Sequence, residues 1–187
     1  MEPNRCPWCL GDASYITYHD KEWGKPLKNN QKLFEALILD GAQAGLSWLT
    51  ILKRREGYRE AFDGMDPEKI ARYTDKDIER LMGDSRIIRN HRKIRSAIEN
   101  AQAYCTMMAG AGSFSTWLWN WVEGKPRINR FKTLAEVPTS TELSEKISKE
   151  LKKKGFSFVG PTIIYAYMQA VGMVNDHLTD CFKHPDH

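Results

Sequence analysis

Residues able to bind one metal ion stand at both ends of this 187-residue chain, and that pairing limits its topology more than any other feature. Cys6 and His19 lie near the start; His177 and Cys181 lie near the finish, four apart, a spacing that puts both on one side of a helical turn. Two thiolates and two imidazoles form the tetrahedral donor set that structural zinc prefers. The gap between the halves is far too long for a zinc finger. One ion taking all four would instead tie the N-terminal arm to the C-terminal tail and close the fold. Cys9 leaves a second reading open, because Cys6-Pro7-Trp8-Cys9 is also a C-x-x-C that can serve as a redox pair or as two zinc ligands.

Between the ends the chain reads as helices. Leu33, Phe34, Leu37 and Ile38 make an amphipathic stripe. Ser47 can cap a helix running through Trp48, Ile51, Leu52, Tyr58 and Phe62. Asp66-Pro67 supplies a cap followed by proline at the first helical position, and Thr74 with Asp77 resembles a capping box. A long helix from Ile94 to Met108 is expected to stop at Gly110 and Gly112, with Ser113 before the aromatic run from Phe114 to Val122. Leu143, Ile147 and Leu151 mark a helix ending at Lys154-Gly155, and Pro161 opens a last apolar helix that runs to Gly172. No strand alternation, repeat or low-complexity segment stands out. Glu123 to Thr141, with Gly124, Pro126 and Pro138, reads as a linker. The expectation is an all-α fold in a single domain over residues 1–187.

Apolar and charged residues are balanced as in a globular protein, and no apolar run approaches transmembrane length. The first five residues do not resemble a signal peptide, and four cysteines do not suggest a secreted disulfide framework. A cytoplasmic monomer is expected. The net charge of +4 is too small to imply a nucleic-acid partner, but the basic residues are clustered. One cluster holds Arg86, Arg89, Arg92, Lys93 and Arg95; another is Lys53-Arg54-Arg55; a third is Lys152-Lys153-Lys154. Any of them can be a solvated helix face. The third leads into Gly155-Phe156-Ser157-Phe158-Val159-Gly160-Pro161-Thr162, a turn between two expected helices. Such a turn presents backbone N–H groups at a helix N-terminus, where phosphate oxygens bind. The segment from about 143 to 172 therefore has the form of a helix-hairpin-helix, with Gly155, Gly160, Thr162 and Lys153 as candidate DNA contacts.

Trp8, Tyr15, Tyr18, Trp23 and Trp48 lie beside the candidate ligands or at a helix start. Most aromatic residues are core. Five around short polar motifs are less typical, and paired rings can sandwich a flat heterocycle, a cationic one best. Cys6-Pro7-Trp8, the run Tyr18 to Gly24, the run Gln43 to Trp48, Phe158-Val159-Gly160 and Val174-Asn175-Asp176-His177 together resemble the DNA-3-methyladenine glycosylase I family, in constant register from Cys6 to Cys181. The resemblance implies a helix-hairpin-helix glycosylase fold. It implies one structural Zn²⁺ held by Cys6, His19, His177 and Cys181, through terminal segments 6–19 and 177–181. It further implies hydrolytic release of 3-methyladenine from alkylated double-stranded DNA, without strand cutting. Trp8, Tyr18 and Trp48 would contact the base, with Trp23 in the same pocket.

The sequence departs from that family in places. The acidic residue ahead of Gln43 to Trp48, the candidate catalytic residue, is Asp40 where the family has glutamate. Asp40 is expected to stand ionised and to recognise a cationic base. Cys9 has no role in the family's zinc site. The superfamily's catalytic aspartate falls on Asn175, and the adjacent Asp176 is expected to hold His177 or cap the last helix. Two other classes fit part of the pattern: a zinc-stapled DNA-binding module without catalysis, and a thiol–disulfide protein.

Overall fold

The computed structural model describes residues 2–187 and is helical almost throughout. Its α-helices are α1 (Ala13–Lys21), α2 (Asn30–Gln43), α3 (Trp48–Leu52), α4 (Arg55–Ala61), α5 (Pro67–Ile70), α6 (Asp75–Gly83), α7 (His91–Ala111), α8 (Phe114–Asn120), α9 (Glu142–Lys153) and α10 (Pro161–Ala170). Their starts are written in side chains. Ser47 accepts from the Thr50 N–H, Asp66 from Glu68 and Lys69, and Ser113 from Thr116. Asp77 accepts from the Thr74 N–H, the carboxylate half of a capping box.

α2 is the axis of the core and packs against α3, α7, α8 and α10. Its second half, Leu37 to Ala42, is buried on every side, and Asp40 is the one charged residue within it. A helix apolar all round belongs at the centre of a fold, so an acid on it must have a reason.

Several local expectations are corrected. The helix expected from Trp48 to Phe62 is two helices, because Arg54 leaves helical geometry (φ −105°, ψ 0°) while its guanidinium donates to the Ser85 carbonyl at 2.8 Å. Gly110 lies inside α7, where one glycine costs only about 1 kcal/mol; the helix stops at Gly112, at φ +80°. The segment from Glu123 to Thr141 is no mere linker. It contributes β1 (Arg127–Ile128), which pairs in parallel with β2 (Val174–Asn175) in the register Arg127 with Val174 and Ile128 with Asn175.

The chain ends are stitched to the body and to one another. Asn4 Nδ2 donates to the Asp180 carbonyl at 2.7 Å, and the Phe182 N–H to the Asn4 carbonyl at 2.9 Å. The segment after α1 is clamped on the end of α10 by Gly24 N–H to Gln169 O and Leu27 N–H to Val171 O. That approach requires glycine at 172, where φ is +73° and a Cβ would lie 2.3 Å from the Lys25 carbonyl carbon. No helix among the described residues is long and apolar enough to cross a membrane.

Candidate functional site

Cys6, His19, His177 and Cys181 come together as the sequence suggested, all buried, with their ligand atoms within 4.8 Å of one another. The cluster could hold a metal ion. Cys181 Sγ lies 3.4 Å from His19 Nε2 and 3.6 Å from His177 Nδ1, and Cys6 Sγ lies 3.8 Å from His177 Nδ1. The outer ring nitrogens have partners of their own. His19 Nδ1 is 2.8 Å from Asp20, which Arg5 grips in turn, and His177 Nε2 is 3.3 Å from the Trp23 carbonyl. Such outer partners aim the inner nitrogens at the centre of the cluster. Burial opposes ionisation of Asp20, yet the hydrogen bonds from Arg5 and His19 hold its carboxyl below the usual range. The hydrogen bond from Cys6 holds Cys181 well below the thiol range, while the same bond and burial push Cys6 up.

One expectation about this cluster is corrected. His177 and Cys181 do not lie on a helix; an irregular stretch and a short turn at 179–180 separate them. Residues 176–178 carry no regular structure: Leu178 N–H points at Cys6 Sγ (3.4 Å), and Cys181 N–H bonds to Leu178 O (2.8 Å). Cys9 is not part of the cluster, nor bridged to Cys6; its thiol donates to the Cys6 carbonyl at 3.2 Å, and burial pushes its pKa up. A thiol protonated by burial is a poor redox nucleophile, and the helical fold around it is unlike a thioredoxin's.

The aromatic residues run from the cluster to a cavity. Trp23 meets His177 edge-on at 4.7 Å, Trp8 meets Trp23 at 5.0 Å, and Tyr18 meets Trp48 at 5.4 Å between ring centroids. Trp8 is placed by its position directly after Cys6-Pro7, so the cluster anchors one wall of the cavity. The cavity, about 190 Å³, is lined by Trp8, Tyr15, Tyr18, Trp23 and Trp48, and by the polar residues Asp40, Gln43, Gln169 and Asp176. Leu134 and Val137, from the segment read as a linker, complete it.

Two buried polar atoms in this lining, Asp40 Oδ2 and Trp48 Nε1, have no hydrogen-bond partner. Native proteins rarely leave such atoms orphaned, and here an acceptor and a donor are orphaned together. Asp40 is 4% exposed, and burial alone raises its pKa far above the carboxylate range. Burial thus favours the neutral acid over the ionised Asp40 expected from the sequence, and a cation placed beside it would draw out the carboxylate. Burial above all pushes the Tyr18 phenol far up, so it remains a donor. Asp176 neither holds His177 nor caps a helix. It lines the cavity and accepts from Tyr165 Oη (2.6 Å), Asn129 Nδ2 (2.7 Å) and Gln169 Nε2 (2.8 Å). Two donors one turn apart on α10 and a third from the segment after β1 meet there, a convergence that no local signal announced. Asn175, next to it, accepts from the His177 N–H at 3.2 Å.

The turn between α9 and α10 is held from beneath. Asn100 exchanges two hydrogen bonds with the Ser157 backbone, at 2.7 and 3.0 Å, and Ser148 Oγ donates to Val159 O at 2.6 Å. Gly155 takes φ +92°, whereas Gly160 takes an ordinary φ of −61° with open space where a Cβ would stand. Gly160 gives α10 no side-chain cap and Pro161 has no N–H, so the N–H groups of Thr162 and Ile163 are left without an acceptor within the helix. Lys153 pairs with Glu150 on the exposed face, while Lys152 and Lys154 have no ion-pair partner among the described residues. The cluster at Lys53 to Arg55, and Arg86 of the other, are spent internally, whereas Arg89 and Arg92 are exposed. Lys53 pairs with Asp12, Arg55 with Glu22, and Arg86 with Asp84 and Glu60.

The fold is thus a helical body holding an aromatic cavity in which a buried acid lacks a hydrogen-bond partner. The pattern of the methyladenine glycosylase family matches residues 8–184. A DNA-3-methyladenine glycosylase of Haemophilus influenzae is 51% identical over 95% of this chain and 96% of its own. A crystal structure of 3-methyladenine DNA glycosylase I superposes with a TM-score of 0.96 at 49% identity, covering 97% of this chain and 100% of that one. A variant of such an enzyme, solved in complex with 3-methyladenine, superposes at 0.94 with 39% identity, over 98% and 99% of the two chains. The chain belongs to the methyladenine glycosylase family.

Proposed function

We propose that this protein is a monofunctional DNA glycosylase that hydrolyses the N-glycosidic bond of 3-methyladenine in alkylated double-stranded DNA. The observation that carries the reading is the pair of orphaned atoms, Asp40 Oδ2 and Trp48 Nε1, inside an aromatic cavity. An adenine edge offers amino donors and ring-nitrogen acceptors that satisfy both. Methylation at N3 leaves the attached base positively charged, so rings and acid together favour it over neutral adenine. Trp8, Tyr18, Trp23 and Trp48 form the binding walls, and Asp40 is the acid acting on the base.

The same positive charge makes the base a good leaving group, so the protein has little protonation to perform. Its work is access and discrimination. The nucleotide is rotated out of the duplex at a cost of a few kcal/mol, less for a damaged base. Water attacks the sugar carbon as an oxocarbenium-like centre develops, as in glycoside hydrolysis. No lysine lines the cavity, which supports simple hydrolysis over a Schiff-base lyase. Chromatography of bases released from methylated DNA tests the reading: free 3-methyladenine with no 7-methylguanine is expected, and DNA binding without base release would sink it.

Zn²⁺ fits the Cys/His cluster. Metal–sulfur and metal–nitrogen bonds of about 2.3 and 2.0–2.1 Å in a tetrahedron put sulfur and nitrogen about 3.6 Å apart. The observed separations of 3.4, 3.6 and 3.8 Å straddle that value. The ion would close the single domain, 1–187, by joining segments 6–19 and 177–181.

α9, the turn and α10 serve as a helix-hairpin-helix that holds DNA phosphates through Gly155, Gly160, Thr162 and Lys153. Gly160→Asp is the sharpest test. The new side chain has room, and aspartate is a good N-cap, so the fold should be kept or improved. Its charge faces the proposed phosphate site. Duplex binding should weaken at least tenfold and lose part of its salt dependence, while affinity for free 3-methyladenine stays within twofold. Equal loss of both would place the DNA surface elsewhere. A cytoplasmic monomer completes the proposal.

A further inference from the structure

Lys93 belongs by sequence to the basic cluster from Arg86 to Arg95, yet its side chain turns inward. It stands in the first turn of α7, where its N–H is held by the cap residue Asn90 at 3.1 Å. Its ammonium donates to the Ala42 carbonyl at 2.8 Å and to the Ala44 carbonyl at 2.6 Å. Ala42 lies in the last turn of α2, and Ala44 is the residue on which that helix ends. Carbonyls at a helix C-terminus lack an intrahelical donor, and a cation there also answers the helix dipole. Partial burial lowers the pKa of Lys93, in keeping with a side chain committed to protein rather than solvent.

The two carbonyls bracket the point where the chain leaves α2 for α3. Asp40 lies two residues before the first, and Trp48 four residues after the second. These are the residues that carry the two orphaned atoms of the cavity. Between them Gly45 takes φ +76°, and Leu46 N–H bonds to Gln43 O at 2.6 Å, a tight reversal with little of its own to hold it in place. We propose that Lys93 is a positioning residue: by tying both sides of this reversal to α7, it fixes the separation of the Asp40 carboxyl from the Trp48 indole, and with it base recognition and excision. The inference rests on the glycosylase reading. It assigns Lys93 a place in the machinery of the pocket rather than on the phosphate-binding face.

The test compares Lys93→Met, an unbranched arm one atom shorter that removes the donors, with Lys93→Gln, an arm of that same atom count that keeps one donor group. Each is measured for single-turnover release of 3-methyladenine at saturating enzyme, for affinity toward an unmethylated duplex, and for the NMR position of the Trp48 indole N–H. The excision rate of Lys93→Met should fall at least tenfold, with Lys93→Gln in between. Duplex affinity should stay within twofold, and the Trp48 resonance should move in both variants. Should Lys93→Met fail to fold, Lys93→Gln carries the same test. A parental rate at saturation with weakened duplex binding would make Lys93 a phosphate contact and overturn the proposal. So would an unmoved Trp48 resonance in a folded variant. A parent that releases no base would instead overturn the glycosylase reading, whereas a variant matching an active parent overturns only the role of Lys93.

Discussion

Cys6→Ser is expected to strip the protein of its metal and to lower its melting temperature by roughly 8–16 °C, whereas Cys9→Ser keeps both. An ion bound to the native chain alone contributes about 4 kcal/mol when free zinc exceeds its dissociation constant a thousandfold. Each kcal/mol is worth about 2–4 °C in a chain of this size. The effect should spread beyond stability, because Trp8 follows Cys6-Pro7 and packs against Trp23, which meets His177. Releasing Cys6 therefore loosens one wall of the cavity, and affinity for 3-methyladenine should fall with the metal. A chelator should reproduce the change in the parent and add nothing to Cys6→Ser. Elemental analysis and thermal melting decide the matter: a parent that binds no metal, or one whose metal depends on Cys9, refutes the four-ligand assignment.

Asp40→Asn should lower excision of 3-methyladenine by about ten- to a hundredfold, the equivalent of about 1.5–3 kcal/mol for a charge-assisted contact. The same substitution should raise stability. Burial lifts the folded pKa of Asp40 above its unfolded value, so the folded chain holds a proton that the unfolded chain releases. Stability therefore falls as pH climbs from the unfolded value, near 4, toward the raised one. The asparagine variant escapes that loss. It should melt with the parent at low pH and above it at neutral pH, while Asp40→Glu, which restores the family's residue, keeps activity. An enzyme that trades stability for function in this way carries its acid for the ligand, not the fold. If Asp40→Asn excises at the parental rate, recognition rests on the rings alone.

What was legible in the sequence is what neighbouring residues decide among themselves. Apolar periodicity, a serine or aspartate before a helix and a glycine after one act over a turn or two, and they located α2, α7, α9 and α10. The ligand types were legible because few residues can bind zinc, and so were the aromatic motifs that line the cavity. The errors lie where distant segments meet. The spacing of His177 and Cys181 suggested a helix, but the stretch between them is irregular and points Leu178 N–H at Cys6, over 170 residues away in the chain. The cluster at Lys53-Arg54-Arg55 read as a basic surface, yet Asp12, Glu22 and the Ser85 carbonyl occupy it. Lys93 looked like its arginine neighbours until α2 was packed beside it, and Asp176 gained its role only when Asn129, Tyr165 and Gln169 converged. By itself the sequence determined most of the helical segments and which chemistry they carry. Only the tertiary structure decided which polar groups are paired and which are left open for a ligand, because desolvation and pairing depend on what the rest of the chain brings within a few ångströms.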